Sequence, residues 1–361
     1  MKRRDFLKTS AAAVAALSVM TELPVLAGRK CKKSTPGVHD LSFRPDGKFK
    51  LLQLTDTHYI SGDPRSDRAL RCVREMLEAE KPDLVIHTGD IIFGSPDKQS
   101  MVELLAPLAE SGIPWAVTLG NHDAQFGSSR AELMETILAQ PGCINQPSVP
   151  GLYGEGNSII TLSGPSGVER VFYLFDSGDS VKLKGEESRK SYDYIRTSQI
   201  LWYKEASEKF RAAGGEVPVH SMAFMHIPLR EIKSGLESKR SVLLAGNNCE
   251  QPCPSRLNSG LFAQFREMED VEAVVTGHDH DCDYVLDYGQ IYWIYGRFSG
   301  CDTVYNHLGL EGRSDNKISG ARVFEFSRGE SSFRTWVRLQ GGIVQQELLL
   351  SAPPREVREN S

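Results

Sequence analysis

The chain has 361 residues, 40% of them hydrophobic and 25% charged, ordinary globular usage that excludes collagen-like, low-complexity and wholly disordered chains. That length suits one large domain or two modest ones. Formal charge is −5, from 42 Lys and Arg against 47 Asp and Glu, so no nucleic-acid footprint is expected.

Residues 1–27 read as an export signal. A basic opening, Met1-Lys2-Arg3-Arg4, precedes an alanine-rich run from Ala11 to Met20 that is too short and too weakly apolar for a membrane-spanning helix. Arg3-Arg4-Asp5-Phe6-Leu7-Lys8 resembles the twin-arginine signal. The resemblance implies bacterial export to the periplasm or beyond and contact with the export machinery. That route carries folded proteins, often with metal already in place, so a metal site is to be sought. Val25-Leu26-Ala27 suits cleavage before Gly28, whereas Lys30 directly before Cys31 argues against lipidation. No stable membrane anchor is expected. Residues 28–48 are assigned to an N-terminal extension, 49–340 to one domain and 341–361 to a C-terminal tail.

Short apolar runs then alternate with helical spacing, the pattern of a layered α/β domain. Lys50 to Leu54 reads as a strand, Ala69, Leu70, Val73, Met76 and Leu77 as a helix, and Leu84 to His87 as a second strand. Met101, Leu104, Leu105 and Leu108 mark a helix that Pro107 should kink or shorten. After a strand at Trp115 to Leu119, Ser129 with Glu132 forms a capping-box pattern ahead of Leu133, Ile137 and Leu138. Ser158 to Leu162 and Val171 to Phe175 read as an antiparallel pair, and Gln199, Trp202, Tyr203 and Phe210 as a helix. Strands at Met222 to Met225 and Ala273 to Thr276 bracket a helix carrying Leu261, Phe262, Phe265 and Met268, and the segment from Val285 onward is strand-rich. Seven cysteines leave at least one unpaired; Cys249 and Cys253, in a Gly-, Asn- and Pro-rich stretch, are the best local candidates for a bridge.

The chemistry lies where five apolar strands end. Each is followed at once by polar residues able to bind metal: Asp56-Thr57-His58, Gly89-Asp90, Gly120-Asn121-His122-Asp123, His226 and Gly277-His278-Asp279-His280. Singly these are common turn sequences. Together, in register with five strands, they point to a crevice at strand carboxyl ends where distant residues converge, as in open α/β sheets. His87, inside an apolar strand, reads as a satisfied core or supporting histidine. Arg230, Arg297, Tyr305 and His307 lie in or near loops after strand ends, from which they could touch substrate.

The order Asp-x-His, Gly-Asp, Gly-Asn-His-Asp, lone His, Gly-His-x-His resembles the calcineurin-like metallophosphoesterase superfamily, and the match covers Lys50 to His280. Asn258-Ser259-Gly260-Leu261-Phe262 leading into Thr276 to His280 is most similar to the compact branch related to purple acid phosphatases. The resemblance implies a β-sandwich core flanked by helices, with the metal site at strand C-terminal ends. It implies one ion held by Asp56, His58, Asp90 and His280 and a second by Asp90, Asn121, His226 and His278. Asp90 would bridge them through its two oxygens. Mixed nitrogen and oxygen donors suit Mn, Fe or Zn.

The implied reaction is in-line attack of a metal-bridging hydroxide on a small phosphomonoester, with His122 as general acid and Asp123 orienting it. The same core would also serve a phosphodiesterase, or a metal- or phosphate-binding module without catalysis. True purple enzymes carry a metal-bound Tyr three residues after the bridging Asp. Phe93 stands there in this chain, which predicts a colourless protein.

Overall fold

The computed structural model describes residues 38–185, 190–300, 303–304 and 318–352. The first half runs β1 (Val38–Ser42), β2 (Lys48–Leu54), α1 (Asp67–Glu80), β3 (Leu84–Thr88), α2 (Asp97–Ser111), β4 (Trp115–Thr118), α3 (Arg130–Leu138), β5 (Ser158–Gly164) and β6 (Gly167–Leu174). Next come β7 (Ser180–Lys182), β8 (Lys190–Tyr192), α4 (Thr197–Ala213), β9 (His220–Phe224), α5 (Glu231–Glu237), β10 (Val242–Ala245) and α6 (Leu261–Met268). The chain continues through β11 (Val271–Thr276), β12 (Val285–Tyr288), β13 (Ile291–Tyr295), β14 (Gly320–Ser327), β15 (Phe333–Leu339) and β16 (Val344–Leu350).

Six strands pair in the order β16-β15-β14-β2-β3-β4 and eight in the order β1-β5-β6-β9-β11-β13-β12-β10, while β7 and β8 form a separate ribbon. Side chains alternate between two buried faces, which is why the central strands read as unbroken apolar runs. Phe49, Leu51, Leu84 and Ile86 enter the space between the sheets and meet Phe172, Phe224, Ala273 and Val275 of the opposing sheet. Leu52, Leu54 and Val85 turn the other way, onto Met76, Leu104 and Ile137 of α1, α2 and α3. On the far side Tyr173, Val274 and Trp293 pack with Tyr203, Ile232 and Phe265 of α4, α5 and α6. The layering is therefore helix, sheet, sheet, helix, as the resemblance implied.

The capping box at α3 is present: Glu132 N–H donates to Ser129 Oγ at 3.3 Å, and Ser129 N–H donates to Glu132 Oε2 at 2.8 Å. Pro107 does not end its helix. α2 continues to Ser111 because Leu104, Leu105 and Leu108 on both sides are buried in the core, and only one turn follows the proline. The domain boundaries move outward. β1 pairs with β5 and β16 with β15, so the 28–48 extension and the 341–361 tail each add a strand to a sheet. Cys249 and Cys253 are unbridged. Cys249 N–H donates to the Asp281 carbonyl and Cys253 N–H to Asp279 Oδ2, both at 3.1 Å, so each half of the loop is tied to the segment after β11 rather than to the other. The export signal, Cys31, Cys301, Tyr305 and His307 lie outside the described residues.

Candidate metal centre

The polar groups after the strands converge, but from two sheets rather than from one open sheet. Parallel neighbours β2, β3 and β4 deliver Asp56 and His58, Asp90, and Asn121 with His122. Parallel neighbours β9 and β11 of the opposing sheet deliver His226, then His278 and His280. The site therefore sits at one end of the sandwich, where carboxyl ends of both layers face each other.

Two donor groups result. Asp56, His58 and His280 form one and Asp90, His226 and His278 the other, with the donor atoms of each within 4.8 Å of one another and every residue buried. In the first, His58 Nε2 lies 2.8 Å from His280 Nε2, which is 3.5 Å from Asp56 Oδ1. In the second, His226 Nε2 lies 3.2 Å from Asp90 Oδ2, 3.1 Å from Asn121 Oδ1 and 3.3 Å from His278 Nδ1. His226 Nδ1–H donates to the Thr88 carbonyl at 2.7 Å, which leaves Nε2 free to face the cluster.

Asp90 joins the groups through one oxygen, not two. Its Oδ2 also lies 3.7 Å from His58 Nε2, whereas Oδ1 accepts the His122 backbone N–H at 2.8 Å. Imidazole nitrogens and carboxylate oxygens crowded at these distances, with Asp56, Asp90 and His226 fixed by further bonds to neighbouring groups, fit a pair of metal ions.

Backbone strain accompanies this convergence. Asp56, His58, Asp90 and His278 adopt φ of 53°, 47°, 52° and 83°, left-handed values that cost non-glycine residues about 1–3 kcal/mol each and persist only where surroundings enforce them. The enforcement is visible. His58 N–H donates to the Asp90 carbonyl and Asp56 N–H to the Gly89 carbonyl, both at 3.0 Å. His278 N–H donates to both Asp56 oxygens at 3.1 Å. Glycine is required at the closest approaches: a β-carbon at Gly120 would strike the Asp90 carboxylate, and one at Gly277 would strike Thr55 Oγ1.

Electrostatics favour a bound cation. Burial opposes ionisation of Asp56, yet its hydrogen bond to His280 and that residue's charge hold it well below the usual carboxylate range. Burial alone would lower His226, but the charges of Asp90 and Asp56 push it up to about 9. His278 is pushed down to about 3 by burial and by the charge of His226. Positive charge is thus drawn to the point between His226 and Asp90, where an ion would replace a proton.

Around the donors, the remaining expectations divide. His122 borders the cluster, its ring 5.5 Å from that of His58 and 4.9 Å from Phe93. Asp123 does not orient it. The Asp123 carboxylate is buried and accepts N–H bonds from Ile91 at 2.7 Å, Ile92 at 3.0 Å and Gly120 at 2.7 Å, which staples the Asp90 loop to the Asn121 loop.

Gln125 takes the orienting position, with Oε1 2.9 Å from His122 Nδ1 and Nε2 donating to the Asn121 carbonyl. The signal was available in the sequence, since the turn Asp123–Gln125 is 3₁₀ and such turns align side chains three apart. His87 supports the site as expected: Gly89 N–H donates to its Nδ1 at 3.2 Å, so Nε2–H donates to Thr57 Oγ1 at 2.9 Å.

Arg297 is buried and donates to Asp283 and to the Ile318 carbonyl, a strut beneath the site rather than a substrate contact. Arg230 is exposed and lines a cleft with Ser177 and Ile227 beside His226. Two features had no sequence signal. Arg130 at the start of α3 donates to the Gly120 and Leu119 carbonyls and pairs with buried Asp176, bracing the Asn121 loop. Tyr192, on β8, sets its ring edge-on to His278 at 4.4 Å.

Comparison with known proteins places this geometry. A family model described as calcineurin-like phosphoesterase matches residues 49–282, and a twin-arginine translocation signal model matches residues 1–20. The signal directs export across the membrane, and among the described residues no helix is long and apolar enough to cross one. Curated relatives include "Probable inactive purple acid phosphatase 28" of Arabidopsis thaliana, 31% identical over 83% of this chain and 82% of that protein. Another is "Phosphatase DCR2" of Saccharomyces cerevisiae, 28% identical over 84% of this chain and 56% of that protein. A dimetal phosphatase from Danio rerio shares the fold with a TM-score of 0.56 and 13% identity, covering 84% of this chain and 99% of that one.

Proposed function

Because the chain belongs to the calcineurin-like phosphoesterase family, we propose that it is an exported dinuclear-metal phosphatase that hydrolyses phosphomonoesters, with His122 as general acid. The observation that carries the reading is the single Asp90 oxygen facing both donor groups, 3.2 Å from His226 Nε2 and 3.7 Å from His58 Nε2. Asp56, His58, Asp90 and His280 would hold one ion, and Asp90, Asn121, His226 and His278 the other. The donor set suits Mn, Fe or Zn, and Phe93, whose ring lies against His58, offers no ligand in place of the tyrosinate that colours the purple enzymes. When bound, such a pair polarises the phosphoryl oxygens and supplies a water nucleophile at neutral pH.

The remaining steps belong to side chains. Gln125 accepts from His122 Nδ1–H, so in the imidazolium form His122 presents Nε2–H to the leaving-group oxygen. Phe93 packs edge-on against His122 at 4.9 Å and is itself backed by Phe126 at 5.5 Å, which limits how that ring can turn. On the opposite side residues 255–256 are tied to β8, whose Tyr192 ring covers one edge of His278, a wall that suits a monoester better than a diester. Some relatives are named inactive, but this chain keeps all seven donors and His122.

Replacing His122 by Asn tests the assignment. Turnover should fall about 10²- to 10³-fold with metal content intact, more for alkyl phosphates than for p-nitrophenyl phosphate, whose leaving group needs no proton. Loss of metal in that variant would make His122 a ligand instead and end its role as acid.

A further inference from the structure

The two donor groups are flanked differently. Beside His58 stand the rings of Phe93, backed by Phe126, and of His122. Beside His278 stands a phenol, Tyr192. Its ring meets the imidazole edge-on at 4.4 Å and 88°, a favourable aromatic geometry that fixes where the phenol points.

The backbone under Tyr192 is fixed as well. Ser255 Oγ donates to the Tyr192 carbonyl at 2.9 Å, Arg256 N–H donates to Ser191 Oγ at 3.0 Å, and Asp193 N–H donates to the Asp179 carbonyl at 3.2 Å. Two separate segments, residues 255–256 and Asp179, thus fix the backbone that carries this half-buried side chain beside His278. Among the described residues no hydrogen bond is made by its hydroxyl, although Asp90 and Asp279 lie within electrostatic reach of it. Two core tyrosines do otherwise, Tyr203 donating to Asp270 and Tyr295 to Asp279, whereas Tyr173 and Tyr284 bury hydroxyls without a hydrogen-bond partner in wholly enclosed positions; the Tyr192 hydroxyl differs from these in lying half-buried beside a donor.

We propose that Tyr192 is a substrate-contacting residue: its hydroxyl donates a hydrogen bond to a non-bridging phosphoryl oxygen of the monoester bound at the His226 and His278 side. The inference rests on the phosphatase reading. A phenol remains protonated at neutral pH and donates one bond, and an anionic oxygen is the acceptor that rewards it most. The contact serves the dianionic monoester and its product, inorganic phosphate, alike, so it acts on binding rather than on the chemical step.

The test is Tyr192→Phe, which keeps the ring against His278 and removes only the hydroxyl. In Mn-loaded protein, the KM for p-nitrophenyl phosphate and the dissociation constant of inorganic phosphate, read by calorimetry, should both rise about tenfold. The kcat should stay within about twofold and metal content should be unchanged. Phosphate affinity equal to that of the parent protein would overturn the proposal while leaving the phosphatase reading intact. Loss of metal in Tyr192→Phe would overturn it too, by making the hydroxyl a support for His278. Failure of the Mn-loaded parent to bind phosphate or hydrolyse any ester would remove the phosphatase reading, and this inference with it.

Discussion

From the six-stranded sheet come both carboxylates, the Asn121 amide and one imidazole; from the eight-stranded sheet come three imidazoles. The two sources are also built differently. Loops after β2, β3 and β4 are laced to one another by backbone bonds, by the Asp123 carboxylate and by His87 through Thr57. Three of the four left-handed residues at the centre, Asp56, His58 and Asp90, lie in these loops. The histidines of β9 and β11 are instead oriented by reaching across to that lattice: His226 to the Thr88 carbonyl and His278 through its backbone to Asp56. One sheet supplies a rigid, strained bed of charge and the other closes imidazole donors onto it, so damage to the two sides should differ in kind.

The largest effect should come from Asp90, whose oxygen faces both groups. Groups that only support a ligand cost about 10–100-fold when removed, so Asp90→Asn is expected to cost at least about 1,000-fold in activity and to empty both ion positions in metal analysis. His226→Ala, on the imidazole side, should empty one. Equal metal loss in the two variants would erase the contrast.

Asp123→Asn tests the lattice itself. It should weaken metal binding about 10–100-fold and leave the dependence on leaving group as in the parent, because the carboxylate serves amides of both loops rather than His122. A steeper leaving-group dependence, matching that of His122→Asn, would return Asp123 to an orienting role.

The smallest effect is on acid stability. Burial pushes His87 down to about 3, against about 6.5 in an unfolded chain, so the unfolded state takes up a proton that the folded state refuses. The stability this group contributes is complete above pH 6.5 and falls as pH drops toward 3. Between pH 6.5 and 5 the loss is about 2 kcal/mol. His87→Gln, able to make the same two bonds, should show a flatter decline between those pH values in chelator-treated protein followed by denaturant unfolding. Parallel declines would show that His87 is not the group responsible.

The central strands and the donors were legible because both signals are local: an unbroken apolar run marks a strand buried on both faces, and a ligand type directly after it marks the loop. The edge strands β10 and β16 gave no such signal. Val242, Leu243 and Leu244 of β10 are all exposed, and β16 reads Val344-Gln345-Gln346-Glu347 before its leucines, so neither shows one-sided alternation. The split of five ligand strands between two sheets was hidden for a different reason. An apolar strand reads the same whichever layer it joins, and pairing is settled by contacts far apart in sequence. The roles of Asp123 and Tyr192 depend on which loops lie side by side, which residue type cannot convey.

The most direct measurement is a metal titration of the purified, chelator-treated protein with Mn, followed in parallel by calorimetry and by hydrolysis of p-nitrophenyl phosphate and bis-p-nitrophenyl phosphate. The account predicts two ions per chain, activity that rises with occupancy of the pair, and faster turnover of the monoester. Two bound ions with no hydrolysis of either ester would contradict it.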